Sequence, residues 1–125
     1  MASIHVNGID LYYEAHGSGM PLVMLHGNGE DHTTFSTLCA ALQDRFQIFL
    51  FDTRGHGKST PVSEYHYSDM AQDMTEALIQ LFDGPIDLLG FSDGGIIALF
   101  LAIWYPQLVR RMILCGANYH PYGIK

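Results

Sequence analysis

The stretch that decides the fold is residues 86–104, IDLLGFSDGGIIALFLAIW. Its first four residues predict a short buried strand, and the run from Ile96 to Trp104, apolar nearly all round, predicts a helix inside the fold. Between them stands the pattern G-x-S-x-G, with Gly90, Ser92 and Gly94 at its fixed positions. A turn this tight strains the serine backbone, and the two glycines remove clashes that larger side chains would cause. We therefore expect a positive φ at Ser92 and an exposed hydroxyl at the carboxyl end of the sheet.

A second glycine-rich segment, HGNG at residues 26–29, follows another predicted buried strand. Its glycines let a backbone N–H point into the space above Ser92, which would supply half of an oxyanion hole. The N–H of Asp93 would supply the other half, next to a helix dipole that favours negative charge. For the G-x-S-x-G turn at residues 90–94, the alternative is a structural glycine turn with no catalytic role. His26 is a candidate base, but its place at a strand end favours a buried histidine hydrogen-bonded to backbone.

A third segment, DTRGHGKS at residues 52–59, calls for comparison with a phosphate-binding loop. That loop needs glycine where Asp52 stands, and its lysine and serine open a helix, whereas here they precede more loop. A nucleotide site is therefore not expected. We expect Asp52 and Arg54 to hydrogen-bond the loop in place.

The rest of the chain alternates strands and helices. The dipeptide Asn7-Gly8 between two alternating apolar runs predicts a β-hairpin, since both turn positions require positive φ. Further buried strands are predicted at Pro21–Leu25, Phe46–Phe51 and Met112–Cys115, and helices at Thr33–Gln43 and from a capping Ser68 to the stop at Gly84-Pro85. This order predicts an α/β fold: a mostly parallel sheet with an N-terminal antiparallel hairpin and helices on both faces.

Composition excludes several classes of function. The chain has 125 residues, 48% of them hydrophobic and 15% charged, which suits one domain with a core. Six basic residues against 13 acidic ones give a net charge of -7, so no nucleic-acid partner is expected. No basic amphipathic stretch indicates a membrane surface. No signal peptide or membrane-length apolar run is visible, so we expect a cytoplasmic location.

Cysteines and histidines give no sign of a cofactor. Cys39 and Cys115 lie among apolar neighbours without a CxxC spacing, so we expect two reduced core thiols. The seven histidines share no tight ligand spacing. Neither a metal nor another cofactor is therefore expected.

Taken in order, the three segments resemble the α/β-hydrolase fold, over essentially all 125 residues. The turn GFSDGGI, residues 90–96, is especially similar to the biphenyl-hydrolase-like branch. The resemblance implies strand order 1-2-4-3-5-6 and hydrolysis of a small-molecule carboxylic ester by a Ser–His–Asp triad. It implies that Ser92 is the nucleophile that forms the acyl-enzyme, and that the backbone N–H groups of Asn28 and Asp93 form the oxyanion hole. A serine rather than an aspartate at position 92 speaks against a haloalkane dehalogenase.

The pattern of the family breaks after Ser92. In this fold the acid and the histidine follow the serine, but Asp93 is the only later carboxylate here and His120 the only later histidine. The chain also supplies six strands where the full sheet usually has eight. We therefore expect residues 1–125 to be the N-terminal portion of an α/β-hydrolase core domain, with a truncated sheet. His120 is the remaining candidate base, and the chain alone is expected to hydrolyse esters poorly.

Three interpretations remain open. The chain is a fragment of a serine hydrolase, or it pairs with a second chain, or it is a non-catalytic binding module that kept the glycine turn as architecture. A final strand at Met112–Cys115 would be a long apolar edge without a neighbour, which single domains avoid. We therefore expect a homodimer or a complementing chain at this edge.

Overall fold

The computed structural model describes residues 2–116. Six strands and three α-helices account for most of this range. In chain order they are β1 (Ala2–Val6), β2 (Ile9–Gly17), β3 (Met20–Leu25), α1 (Ser36–Leu42), β4 (Phe46–Phe51), α2 (Tyr67–Leu81), β5 (Ile86–Phe91), α3 (Asp93–Trp104) and β6 (Val109–Cys115). Two short 3₁₀ helices precede α1 and β6, at His32–Phe35 and Pro106–Leu108.

The strands form one sheet in the order β1-β2-β4-β3-β5-β6, which confirms the predicted order. β1 and β2 form the N-terminal antiparallel hairpin, with a φ of 49° at Asn7 and 81° at Gly8. β2 also runs antiparallel to β4, whereas β4, β3, β5 and β6 are parallel. Because parallel strands end at the same edge of a sheet, the segments that follow β3, β4 and β5 meet there.

Helices cover both faces of the sheet, as predicted. Side chains alternate along β3, so Val23 and Leu25 join a core with α2 and α3, while Leu22 and Met24 join a second core with α1. β4 alternates in the same way, which is why both strands read as continuous apolar runs. The sheet is therefore buried on two sides at its centre.

The sequence placed α3 inside the fold, and its first half is indeed buried. Towards its end Ile103 and Trp104 are exposed, although the Trp104 ring contacts that of Phe100 on the same helix, with centroids 4.8 Å apart. None of the helices within residues 2–116 combines the length and apolarity that a bilayer crossing requires.

Three local predictions were wrong. Ser68 is not the cap of α2, which begins at Tyr67 with His66 at the N-cap and no side-chain capping bond. α2 ends at Leu81, before the Gly84-Pro85 stop, because its C-cap residue Phe82 is already extended. Cys39 is a buried thiol as expected, but Cys115 is exposed because it lies on β6, the outermost strand of the described sheet.

Candidate active site

The G-x-S-x-G turn connects β5 to α3, and Ser92 is its strained residue. Ser92 has φ 56° and ψ −118°, a combination that lies outside the left-handed helical region and costs about 1–3 kcal/mol. The backbone on both sides is fixed: Ser92 N donates to the Cys115 carbonyl at 2.8 Å, and Gly95 N donates to the Ser92 carbonyl at 2.9 Å. The predicted positive φ is confirmed, and the side chain of Ser92 is only half-buried.

The glycines around Ser92 are required by close backbone approach. A Cβ on Gly90 would overlap the carbonyl of Gly94, and a Cβ on Gly94 would overlap the carbonyl of Leu25. A Cβ on Gly27 would lie 3.2 Å from the Ser92 Cβ, which places the loop after β3 directly against the serine. The two glycine-rich segments predicted to meet at Ser92 therefore do meet there.

Two backbone N–H groups at this junction are uncommitted. In the turn Gly27–Glu30, Gly27 N donates to Glu30 Oε1 at 2.8 Å and Gly29 N donates to His56 Nε2 at 3.0 Å. The N–H of Asn28 between them has no protein acceptor within residues 2–116, and the same holds for the N–H of Asp93 at the start of α3. These are the two donors that the sequence predicted for an oxyanion hole, and neither has an acceptor in the part of the chain that the structure describes.

His26 is a structural histidine, as the sequence favoured. It is 2% exposed, its Nδ1 donates to the Gly27 carbonyl at 2.7 Å, and its Nε2 accepts from Thr53 N at 3.1 Å. Burial lowers the pKa of its imidazole. Because both ring nitrogens are occupied by backbone, His26 is poorly suited to take a proton from Ser92.

Asp52 fixes the loop that follows β4, as predicted. Its fully buried carboxylate accepts hydrogen bonds from His32 N at 2.7 Å and Lys58 N at 2.9 Å. A Cβ on Gly57 would overlap this carboxylate, which explains the glycine at that position. Asp52 therefore ties the loop after β3 to the loop after β4.

Arg54 holds the same loop against α2. Its guanidinium donates to both carboxylate oxygens of Asp73, at 2.6 and 2.8 Å, and this hydrogen-bonded pairing raises the pKa of Arg54. The paired arginine therefore anchors the segment 52–59 to α2, as predicted for Arg54.

Comparison with known proteins settles the family. The sequence profile described as alpha/beta hydrolase fold matches residues 20–124. The chain belongs to this family. Among curated relatives, serine hydrolase BPHL of Mus musculus is 35% identical over 124 residues, which cover 94% of this chain and 43% of the relative. The sn-1-specific diacylglycerol lipase ABHD11 of Danio rerio is 31% identical, over 88% of this chain and 38% of that protein.

Solved structures of an esterase and an epoxide hydrolase are also similar to this chain. The esterase EaEST from Exiguobacterium antarcticum superposes with a TM-score of 0.86 and 38% identity, over 91% of this chain and 44% of that one. An epoxide hydrolase from Vigna radiata reaches a TM-score of 0.89 at 21% identity, which shows the fold alone. The chain thus spans less than half the length of these relatives.

Two further residues reach the turn Gly27–Glu30 and were missed by the sequence analysis. Tyr65 donates its hydroxyl to Asn28 Oδ1 at 2.8 Å, and His56 accepts the N–H of Gly29. Both come from the loop after β4, 37 and 27 residues further along the chain than their partners. No local spacing rule connects them with the turn, because only the parallel sheet brings the two loops together.

The carboxyl group of Asp93 lies near Tyr67 on α2. Burial of Tyr67, together with this neighbouring carboxyl group, raises the pKa of Tyr67 to about 12. The hydroxyl of Tyr67 is therefore protonated at neutral pH.

One group of ligand-type side chains lies near the site, formed by Asp31, His32 and Asp52. Their polar atoms already have partners: Asp31 accepts from Thr33 N at 2.8 Å, and His32 Nδ1 lies 2.8 Å from Asp52 Oδ1. Hydrogen bonding accounts for this group as a structural network. The candidate base His120 lies outside the described residues.

Proposed function

We propose that the chain carries the nucleophile of a serine hydrolase that acts on small-molecule carboxylic esters and forms its acyl-enzyme at Ser92. The observation that carries the proposal is the geometry of the turn. Ser92 is held with φ 56°, half-exposed, beside two uncommitted backbone N–H donors. Family members named as an esterase and a serine hydrolase are 38% and 35% identical and support the ester substrate.

The proposed chemistry is acyl transfer in two steps. The Ser92 Oγ attacks the acyl carbon while its proton passes to a base, and the carbonyl oxygen becomes an oxyanion. The N–H groups of Asn28 and Asp93 would receive this oxyanion, and the start of α3 adds a favourable dipole. The alcohol then leaves with a proton, and water releases the acid from the acyl-enzyme.

The source of the base sets the expected rate. His26 is occupied by backbone on both nitrogens, and His120 is the only histidine after Ser92 in the sequence. The only carboxylate after Ser92 is Asp93, which is fixed at the start of α3, directly after the nucleophile. We therefore expect the 125-residue chain to hydrolyse esters slowly, since an unactivated serine hydroxyl is a weak nucleophile.

A fluorophosphonate probe tests the proposal, because it reacts with a serine that has nucleophilic character and an oxyanion hole. The purified chain is incubated with the probe and the modified residue is located by mass spectrometry. Because no activating base is identified, we expect slow modification of Ser92, still faster than that of other exposed serines because of the oxyanion donors. It should disappear in Ser92→Ala and persist in Ser68→Ala, a serine exposed on α2. Modification spread evenly over exposed serines, or absent from Ser92, would overturn the assignment.

The outer edge of β6 favours a second candidate role, assembly with another chain. β6 pairs only with β5 in the described part of the chain, and Ile113 on it is 55% exposed. An apolar edge strand offers free N–H and C=O groups to a partner. A homodimer or a complementing chain at Met112–Cys115 therefore remains our proposal, as does the cytoplasmic location. Sedimentation of a single 13.9 kDa species at micromolar concentration would contradict the assembly.

A further inference from the structure

The loop after β4 contacts the turn Gly27–Glu30 through two side chains that take no part in the proposed acyl transfer. His56 Nε2 accepts the N–H of Gly29 at 3.0 Å, and the Tyr65 hydroxyl donates to Asn28 Oδ1 at 2.8 Å. The two rings also contact each other edge to face, with centroids 4.9 Å apart. We call this pair, His56 and Tyr65, the clamp.

The hydrogen bonds define one tautomer of His56. Its Nε2 faces an N–H donor and must therefore be an acceptor without a hydrogen. Its Nδ1 lies 3.0 Å from the Arg54 carbonyl, which can only accept, so Nδ1 carries the hydrogen. The ring is 6% exposed and packs against His26 at 5.1 Å, which holds it in this orientation.

The approach of Tyr65 depends on a glycine in the same loop. A Cβ on Gly55 would lie 3.1 Å from a ring carbon of Tyr65, and Gly55 has a φ of 74°. The RGHG part of the segment 52–59 thus supplies both the histidine and the space for the tyrosine. The RGHG sequence therefore also shapes the contact with the turn Gly27–Glu30.

Hydrogen bonds to the amides on both sides of Asn28 hold the turn so that the Asn28 N–H stays without a bond to the described residues. Gly27 N is bound by Glu30 Oε1 and Gly29 N by His56, so rotating the turn to bury the Asn28 N–H would break one of these bonds. Tyr65 restrains the side chain of Asn28 as well. The clamp therefore acts on the peptide whose N–H the proposed function assigns to the oxyanion hole.

We propose that His56 and Tyr65 are positioning residues that hold the turn with the Asn28 N–H free for the acyl oxygen of a substrate on Ser92, an inference that rests on the proposed function. Neither residue touches the reacting atoms. A misplaced oxyanion donor costs about tenfold to a hundredfold in rate, because stabilisation by such donors depends on their geometry.

The test uses the full 125-residue chain labelled with ¹⁵N, and the variants His56→Phe, His56→Gln and Tyr65→Phe. Phenylalanine at position 56 keeps an aromatic ring and removes the acceptor, whereas glutamine restores an acceptor. His66→Gln is the matched control, since His66 is exposed at the N-cap of α2. Two quantities are measured: the amide and imidazole NMR signals, and the rate of fluorophosphonate modification at Ser92.

We expect the hydrogen of His56 on Nδ1, and displaced amide signals of Asn28 and Gly29 in His56→Phe. Modification of Ser92 should slow about tenfold to a hundredfold in His56→Phe, and recover in His56→Gln. Tyr65→Phe should slow it less, and His66→Gln should change nothing. A hydrogen on Nε2, or unmoved amide signals and an unchanged rate in His56→Phe, would overturn the clamp. If Ser92 of the unaltered chain does not react, the proposed function fails, while the NMR signals still decide whether the clamp holds the turn.

Discussion

Within residues 2–116, two residues other than glycine have a positive φ, Asn7 in the hairpin turn and Ser92 between β5 and α3. Asn7, at φ 49°, precedes Gly8 in a two-residue turn, where asparagine tolerates the left-handed conformation. Ser92 combines φ 56° with ψ −118°, which no local preference of serine favours. One region therefore folds with its local preferences and the other against them.

The difference lies in what holds each residue. The hairpin turn is set by its own two residues and by the pairing of β1 with β2. Ser92 is held by contacts from distant segments: its N–H binds the Cys115 carbonyl of β6, and the loop after β3 presses against it at Gly27. Strain that must be maintained by tertiary contacts marks a position selected for something other than stability.

The largest expected effect contrasts one glycine from each region. Gly94→Ala should lower the free energy of unfolding by about 3 kcal/mol, because the added Cβ overlaps the Leu25 carbonyl. Gly8→Ala should cost about 1–2 kcal/mol, since its Cβ meets nothing within 4 Å and only the φ of 81° is strained. Urea unfolding of the two variants measures both values.

A second readout separates local from general damage in these variants. Gly94→Ala should also slow fluorophosphonate modification of Ser92 in buffer without urea, whereas Gly8→Ala should leave the rate unchanged. Equal losses of stability, or equal effects on the rate, would mean that the turn at Ser92 adjusts as freely as the hairpin.

A smaller effect, opposite in sign at the two positions, is expected at the two residues with positive φ themselves. Ser92→Gly should raise the free energy of unfolding by about 1 kcal/mol, because glycine adopts the required φ without strain. Asn7→Ala should lower it by about 1 kcal/mol, since alanine tolerates positive φ poorly and the hydrogen bond of Asn7 to Asp73 is lost. Ser92→Ala keeps the strain and serves as the control. Thermal unfolding that shows the same sign at both positions would contradict the comparison.

Regions with strong local preferences were predictable from the sequence. The hairpin at Asn7-Gly8 follows from the φ that its turn requires, and β3 and β4 follow from continuous apolar runs buried on two faces. The turn at Ser92 was also predictable, because the fixed glycines of its pattern indicate a backbone too close to its neighbours for a Cβ. In the structure, a Cβ on Gly90 or Gly94 would indeed overlap backbone atoms. The positive φ of Ser92 could be stated in advance for that reason.

Features whose tertiary contacts leave no local pattern in the sequence were not predictable. The clamp residues His56 and Tyr65 lie in a turn-rich loop with no periodic pattern, and their partners stand 27 and 37 residues away. Ser68 has a strong capping preference, yet the N-cap of α2 lies two residues earlier, at His66, and Tyr67 in the first turn packs against the core. The exposure of Cys115 follows from the edge position of β6, which apolar neighbours in sequence do not reveal.

The smallest expected effect concerns the strand that backs Ser92. Asp87 on β5 accepts hydrogen bonds from Arg110 and Arg111 on β6, at 3.1 to 3.4 Å, and this pairing, with Arg110 foremost, holds the pKa of the Asp87 carboxyl below its usual range. A carboxyl whose pKa is lowered by folding stabilises the fold above its unfolded pKa of about 3.9, and the contribution is lost as the pH falls through the folded value.

Acid should therefore loosen β6, and with it the Cys115 carbonyl that binds Ser92, before it affects the hairpin. We expect amide exchange to speed up at Ser92 but not in the β1–β2 pairing when the pH is lowered from about 5 to about 3, after correction for the intrinsic pH dependence of exchange. Asp87→Asn cannot ionise, so it should show fast exchange at Ser92 already at pH 5 and little further change. Because other carboxyls, such as those of Glu14 and Asp31, also have lowered pKa values, only the difference between the two proteins is assigned to Asp87. An acid-induced change at Ser92 that is the same in both proteins would show that the β5–β6 ion pairs do not support the strained serine.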